Sequence, residues 1–332
     1  MSLPQRLWLR LPNRIDRKLA VMAWCSFAAQ VLVIATGGAV RLTSSGLGCP
    51  TWPLCTPDSL VSTPEMGVHG LIEFGNRTLT ALVGGFAIIV LLLVIRSRRQ
   101  RPDLYTLASA VLLGVGAQAL VGGITVLTGL NPFIVGFHYL ASMTLVCLCA
   151  AFLTRLRSQA KGTLWLPRAQ WLKAGYWALA SVTCVVIVLG VLTTGAGPHS
   201  GDPAAGRNGF NAVALQHIHA WPSYLLITLT FAITLEAYLH HGVLRTWLTA
   251  LLGIQTIQAL LGIYQARQGL PELAVGSHMV LAALLAATTT VIMVKITDRH
   301  RAEHRHAPAN DSNEPRFHTS ITHSMLATHP SV

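Results

Sequence analysis

Eight apolar runs, each about as long as a helix needs to cross a bilayer, constrain this chain more than any other feature. They fall near residues 20–40, 69–95, 104–128, 132–154, 174–195, 212–238, 245–267 and 273–296. In hydrocarbon every backbone N–H and C=O must be satisfied within the protein, so isolated runs of this length read as α-helices. Of 332 residues, 52% are hydrophobic and 11% charged, which excludes an ordinary water-soluble domain. The expected fold class is an all-α integral membrane protein with eight transmembrane helices.

The second half of the chain echoes the first. Gln118, Leu120, Gly122, Gly129, Leu130 and His138 recur 140 residues later as Gln258, Leu260, Gly262, Gly269, Leu270 and His278. Each copy reads as an apolar helix, a short Gly-containing turn (Thr128 to Asn131; Gln268 to Pro271) and a second apolar helix carrying the histidine within its first two turns. Two copies predict two pseudo-symmetric four-helix bundles. The expected divisions are a basic N-terminus (1–18), an N-terminal half (19–156), a linker (157–173), a C-terminal half (174–297) and a polar, disordered tail (298–332) with no assigned function. Histidine inside a bilayer is costly, so one histidine at matching depth in each half points to a shared prosthetic group, with haem the first candidate.

Basic residues near span ends are retained on the cytoplasmic side. Arg6, Arg10, Arg14, Arg17 and Lys18 precede the first run. Arg96, Arg98, Arg99 and Arg101 follow the second, and Arg155, Arg157, Lys161, Arg168 and Lys173 follow the fourth. Both termini are therefore expected to be cytoplasmic, in a multi-pass protein of the cell membrane with lipid as its surroundings. The net charge of +12 is spread over alternate short loops, as topology alone demands, and does not point to nucleic acid. The first run lacks a small-residue cleavage site close behind it and is expected to stay in the membrane.

The loop after the first run carries Cys49 and Cys55, placed outside, where disulfides persist. A bridge between them would close a small loop already stiffened by Pro50 and Pro53, so a structural staple and a redox role both remain open. Cys25, Cys147, Cys149 and Cys184 lie in apolar runs and read as small buried hydrophobes. Arg41 and Arg207 supply positive charge near the outer face, suited to acidic groups such as haem propionates or to lipid headgroups.

The second run opens with His69, Glu73, Asn76 and Arg77. His69, Glu73 and Asn76 share one helical face, and an uncompensated carboxylate at membrane depth costs on the order of 3 kcal/mol. A Glu73–Arg77 ion pair serving packing alone is the plain alternative to a functional carboxylate. In the sixth run His217 and His219 point roughly 200° apart at 100° per residue, so one of them is expected to face the interior. The second half thus offers histidine at this point, where the first offers a carboxylate, an amide and a more superficial His69.

These residues resemble the haem A synthase family, in an actinobacterial-like form. The resemblance rests on Gly37 to Cys55, on Ile72-Glu73-Phe74-Gly75-Asn76-Arg77, on Gly195 to Asp202 and on the paired Gln-to-His repeats. It implies a C-terminal half that binds haem b between His219 and His278, and an N-terminal half that receives haem O. His138 is then a ligand of the substrate haem, with His69, Asn76 and Arg77 beside it, so that haem iron would sit on His138, His219 and His278. Glu73 corresponds to the family's essential glutamate, and Cys49 with Cys55 to an outer-loop disulfide. The implied reaction oxidises the C8 methyl of haem O to a formyl group through a hydroxymethyl intermediate, for aa3-type terminal oxidases. Haem O synthase and oxidase assembly factors are the implied partners, with homo-oligomerisation left open.

The chain departs from the family pattern in two places. Asn76 stands where many members carry histidine, so either His69 substitutes or the iron is five-coordinate. The loop between the fifth and sixth runs lacks the cysteine pair of some members. Two rival readings remain. A di-haem electron-transfer cytochrome would use the same histidines but has no need of Glu73, and a transporter fits poorly because both halves keep one membrane orientation.

Overall fold

A computed structural model describes residues 15–157, 170–240, 242 and 244–306. The eight spans are helices: α1 Arg17–Leu42, α2 Gly67–Val94, α3 Pro102–Leu127, α4 Pro132–Arg157, α5 Gln170–Ala196, α6 Ala212–Leu239, α7 Arg245–Arg267 and α8 Glu272–His306. All eight are long and apolar enough to cross a membrane, so this is a multi-pass membrane protein. No β-strand occurs among the described residues, only one isolated bridge between Thr56 and Ser59. Asp16 starts α1 by accepting from the Leu19 N–H, and Pro102 and Pro132 sit at the first positions of α3 and α4, where a missing N–H costs nothing.

The helix bounds follow the apolar runs closely, with one correction. Helix α8 continues to His306, so residues 298–306 are helical, against the expectation of a disordered tail from Asp298. No proline interrupts this stretch before Pro308. Residues 1–14 of the basic terminus, 158–169 of the linker and 307–332 of the tail lie outside the described residues.

Helices α1 to α4 close a ring of neighbours, α1 against α2, α2 against α3, α3 against α4 and α4 against α1. Helices α5 to α8 close a second ring in the same order. The two sets meet where α8 packs on α4 and α1, and α5 packs on α4. Small residues let these backbones approach: Ala150, Ala283, Ala286 and Ala287 are buried there with Ile34, Met143, Val146 and Val291. Helix α8 is accordingly the most buried of the spans.

Large apolar side chains fill one end of each ring. Leu19, Val94, Leu104, Phe152 and Leu156 do so in the first four helices. Leu172, Leu179, Leu248, Leu251, Ile292 and Ile296 do so in the second. The opposite end, where the Cys49 loop and the 197–211 loop lie, is left open around a cavity. Cys149 is buried as expected, but Cys184 is exposed on the outer side of α5, where the surroundings of a membrane protein are lipid rather than core.

The two repeats share one backbone. In each, the residue after the turn glycine takes a left-handed conformation: Gly129 and Leu130 have φ of 60° and 60°, and Gly269 and Leu270 have 71° and 63°. Leu130 N–H returns to Thr125 O at 2.8 Å and Leu270 N–H to Gln265 O at 2.9 Å. A leucine at positive φ costs energy, and it is tolerated where tertiary contacts hold it. Leu130 is buried and abuts Gly46 and Gly201, one from each half.

The loop between α1 and α2 folds back onto α2. A β-carbon added at Gly48 would lie 2.4 Å from the His69 carbonyl oxygen, a backbone atom with little freedom to yield. Gly48→Ala is therefore expected to destabilise the protein by about 1–3 kcal/mol, read as a lowered thermal midpoint in detergent. An unchanged midpoint would show that this loop is not seated on α2.

Candidate functional site

A cavity of about 570 Å³ occupies the open end and runs across both halves. The repeat builds its walls. Gln118 Nε2 donates to the His138 carbonyl at 2.8 Å, and Gln258 Nε2 donates to the His278 carbonyl at 3.2 Å. Each glutamine ties the helix before the turn to the histidine-bearing helix after it. Gly122 and Gly262 then make room for the rings, since an added β-carbon would lie 3.3 Å from His138 Cε1 or 3.6 Å from His278 Cε1. Next to His138 and His278 in sequence are Tyr139 and Met279, and the Tyr139 hydroxyl donates to the Met279 carbonyl at 2.9 Å across the junction of the halves.

His219 and His278, from the non-adjacent helices α6 and α8, bring their ring centroids to 6.5 Å at an interplanar angle of 71°. His219 Nδ1 lies 3.0 Å from the Val186 carbonyl. Donation there fixes the tautomer and leaves Nε2 with its lone pair free, as for many metal-bound imidazoles. Gly190 makes the space, because a β-carbon there would sit 3.0 Å from His219 Cε1. Nδ1 of His278 and Nδ1 of His138 are buried without a hydrogen-bond partner. The separation of the His219 and His278 rings admits one metal ion bonded to both, at metal–nitrogen lengths of about 2 Å. No group of three or more His, Cys, Asp or Glu side chains suited to a metal occurs among the described residues. A metal held by this pair would thus need ligands beyond the His, Cys, Asp and Glu side chains of the described residues, as a bound group could supply.

The polar residues at the start of α2 part company with expectation. Asn76 lines the cavity with Thr80 and Val83, and its Oδ1 accepts from Thr36 Oγ1 at 2.7 Å. Glu73 does not line it. Its carboxylate accepts from the Cys49 N–H at 2.6 Å and from Arg77 Nη2 and Nε at 2.5 and 3.1 Å. Arg77 in turn donates to the carbonyls of Cys49 and Thr51 at 2.8 and 2.9 Å. The ion pair and the folded loop therefore exist together, around the Cys49–Cys55 disulfide. His69 is exposed, lies 2.9 Å from Ser45 Oγ and is outside the cavity lining, so it is not brought together with His138. The three residues do share a face, but the loop after α1 buries Glu73 and meets His69 at Ser45, so that of the three only Asn76 lines the cavity.

Arg41 does line the cavity and is already engaged, donating to His199 O at 2.7 Å and Thr194 O at 3.0 Å, which joins α1 to the loop of the other half. Gly46 N–H to Gly201 O at 2.7 Å adds a second link. Arg207 donates to the Pro198 carbonyl. Partial burial holds the His199 imidazole below its usual range, Glu272 opposing and the two arginines reinforcing the shift. His217 also lines the cavity, so both histidines of α6 reach it, His219 deep and His217 at its exposed rim.

Fold and site define an eight-helix membrane protein with a histidine-lined cavity at one end. The family model for cytochrome oxidase assembly proteins of the COX15-CtaA type matches residues 20–198, over half of the chain, and the protein belongs to that family. Among curated relatives, it is similar to the heme A synthase of Symbiobacterium thermophilum, 28% identical over 183 residues, 52% of this chain and 58% of that protein. It is also similar to the heme A synthase of Exiguobacterium sibiricum, 28% identical over 126 residues, 38% and 42% of the two chains. A third, from Geobacillus thermodenitrificans, is 33% identical over 103 residues, 31% and 32% of the two. The matched segments thus span from just under a third to just under three-fifths of these relatives.

Thr36, Gly190 and Tyr139 are site residues that no sequence signal marked. Gly122, Gly262, Gln118 and Gln258 were visible as repeat positions, though not as supports for the histidines. The Glu73–Arg77 pair is largely buried, with side-chain exposures of 5% and 20%. Removing one partner strands the other, at a cost of about 3–5 kcal/mol. Glu73→Ala should therefore lower the thermal midpoint, and Arg77→Met added to it should recover part of the loss. Equal, additive losses in that double-mutant cycle would contradict the clamp.

Proposed function

We propose that this protein is a haem A synthase, an oxidoreductase that converts the C8 methyl of haem O to a formyl group through a hydroxymethyl intermediate. The observation that carries the reading is the His219–His278 pair, spaced to hold one metal ion, with no cluster of three or more metal-binding side chains among the described residues. A porphyrin supplies the remaining ligands, and the cavity's largely apolar lining suits a flat hydrophobic ring. A haem b held there by His219 and His278 would supply one-electron chemistry. The chain's own residues do the rest. Gln258 and Val186 orient the two imidazoles, Gly190 and Gly262 admit them, and apolar helix faces exclude water.

In the first half, His138 is the imidazole that would receive haem O. The two halves are, on this reading, pseudo-symmetric units that have diverged in task. Glu73 lies one turn outward of Asn76, clamped by Cys49 and Arg77 outside the cavity lining, and it is the family resemblance that assigns it the handling of protons at the reacting methyl. The disulfide loop it holds is seated on the outer turns of α2, beside the cavity mouth. Arg41 and Arg207 place positive charge where propionates would dock. With the basic loops inside, both termini are cytoplasmic and the cavity opens toward the outer face. The product serves aa3-type oxidases, and haem O synthase and oxidase assembly factors are the expected partners.

The test is mass analysis of haems extracted from cells that co-express the chain with a haem O-producing synthase. The wild type should yield haem A or its hydroxymethyl precursor. Glu73→Gln, which keeps the side chain's shape, should retain haem b and make neither product. His278→Ala should lose the copurifying haem b. Haem b and unaltered haem O alone from the aerobic wild type would instead favour an electron-transfer cytochrome, and synthesis by Glu73→Gln would remove Glu73 from proton handling.

A further inference from the structure

The two halves present unequal ligand sets to one cavity. In the second half the non-adjacent helices α6 and α8 supply His219 and His278. In the first half the non-adjacent helices α2 and α4 supply Asn76 and His138. Every other lining residue from α1 to α4 is aliphatic or aromatic, or a glycine, serine, threonine or glutamine, apart from Arg41, whose guanidinium is bonded to two carbonyls. His138 is therefore the one imidazole this half places on the cavity among the described residues, and His69 is turned away to Ser45.

Resting on the haem A synthase reading, we propose that a haem bound in the first half is coordinated by His138 alone. Its opposite face is open to a small exogenous ligand, such as a diatomic gas or hydroxide, and Asn76 is the residue that meets that ligand. An amide is a poor iron ligand but a good hydrogen-bonding group. The Asn76 Oδ1 is engaged by the Thr36 hydroxyl at 2.7 Å, which leaves Nδ2 to donate toward the open face. Thr36 is thus a positioning residue. One haem is then closed to ligands by two imidazoles, and the other is open on one side.

The experiment uses the purified full chain co-expressed with a haem O-producing synthase, with carbon monoxide as the probe. Total haem is counted, spin state is read by electron paramagnetic resonance, and carbon monoxide binding is read from the reduced-state difference spectrum. The wild type should show a low-spin and a high-spin centre and bind roughly one carbon monoxide per chain. Asn76→His should keep the haem count, convert the high-spin signal to low-spin and cut carbon monoxide binding at least tenfold. Asn76→Ala should still bind carbon monoxide but shift its stretching frequency, a readout that mere packing would not move. Thr36→Val should shift it in the same direction.

Two low-spin haems inert to carbon monoxide in the wild type would overturn this inference and leave the synthase reading standing. An unshifted stretch in Asn76→Ala would overturn the role of Asn76. If His138→Ala loses no haem relative to the wild type, the failure lies instead with the placement of haem O in the first half. Haem b retained at His219 and His278 serves as the folding control for every variant.

Discussion

Holding imidazoles where water is absent is the constraint from which the rest of this structure follows. A neutral imidazole at membrane depth has two ring nitrogens to satisfy, and burial without partners is expensive. The protein satisfies one of them plainly, at His219, through the Val186 carbonyl. It leaves Nδ1 of His138 and His278 unpaired and builds shape around all three rings with Gly122, Gly190 and Gly262. Such a site is difficult to explain as a core, because a leucine would pack as well without the polar cost. It is easier to explain as a surface awaiting a metal-bearing ring.

Keeping that surface open requires that the remainder of the bundle be closed. The leucine and isoleucine clusters at the far end of each ring, and the alanine-rich junction of α8 with α4 and α1, do the closing. At the cavity end the work falls to polar contacts between loops and helices. Arg41 reaches from α1 to two carbonyls of the other half, and Glu73 with Arg77 gathers the Cys49 loop. These bonds are strong because they are charge-assisted and lie at the edge of low-dielectric surroundings.

Much of this was legible in the sequence. Helix limits could be read because hydrophobic length is nearly the whole determinant of a membrane span, and α7 begins and ends where its apolar run does. The repeat was legible because both copies need the same left-handed turn and the same glutamine. What could not be read were the faces decided by chain segments distant in sequence. His69, Glu73 and Asn76 do share a face, but a loop that arrives from 24 residues earlier takes up the first two. Polar composition alone does not separate a disordered tail from the helical extension of α8 to His306, where no proline precedes Pro308.

The account stands on an iron between His219 and His278, and the most direct measurement is an experimental map of the purified, haem-loaded protein with iron located by anomalous scattering. The account predicts one iron peak between the Nε2 atoms of these two residues and a second next to His138. Rings of His219 and His278 in direct contact, with iron elsewhere in the chain or absent from it, would contradict it.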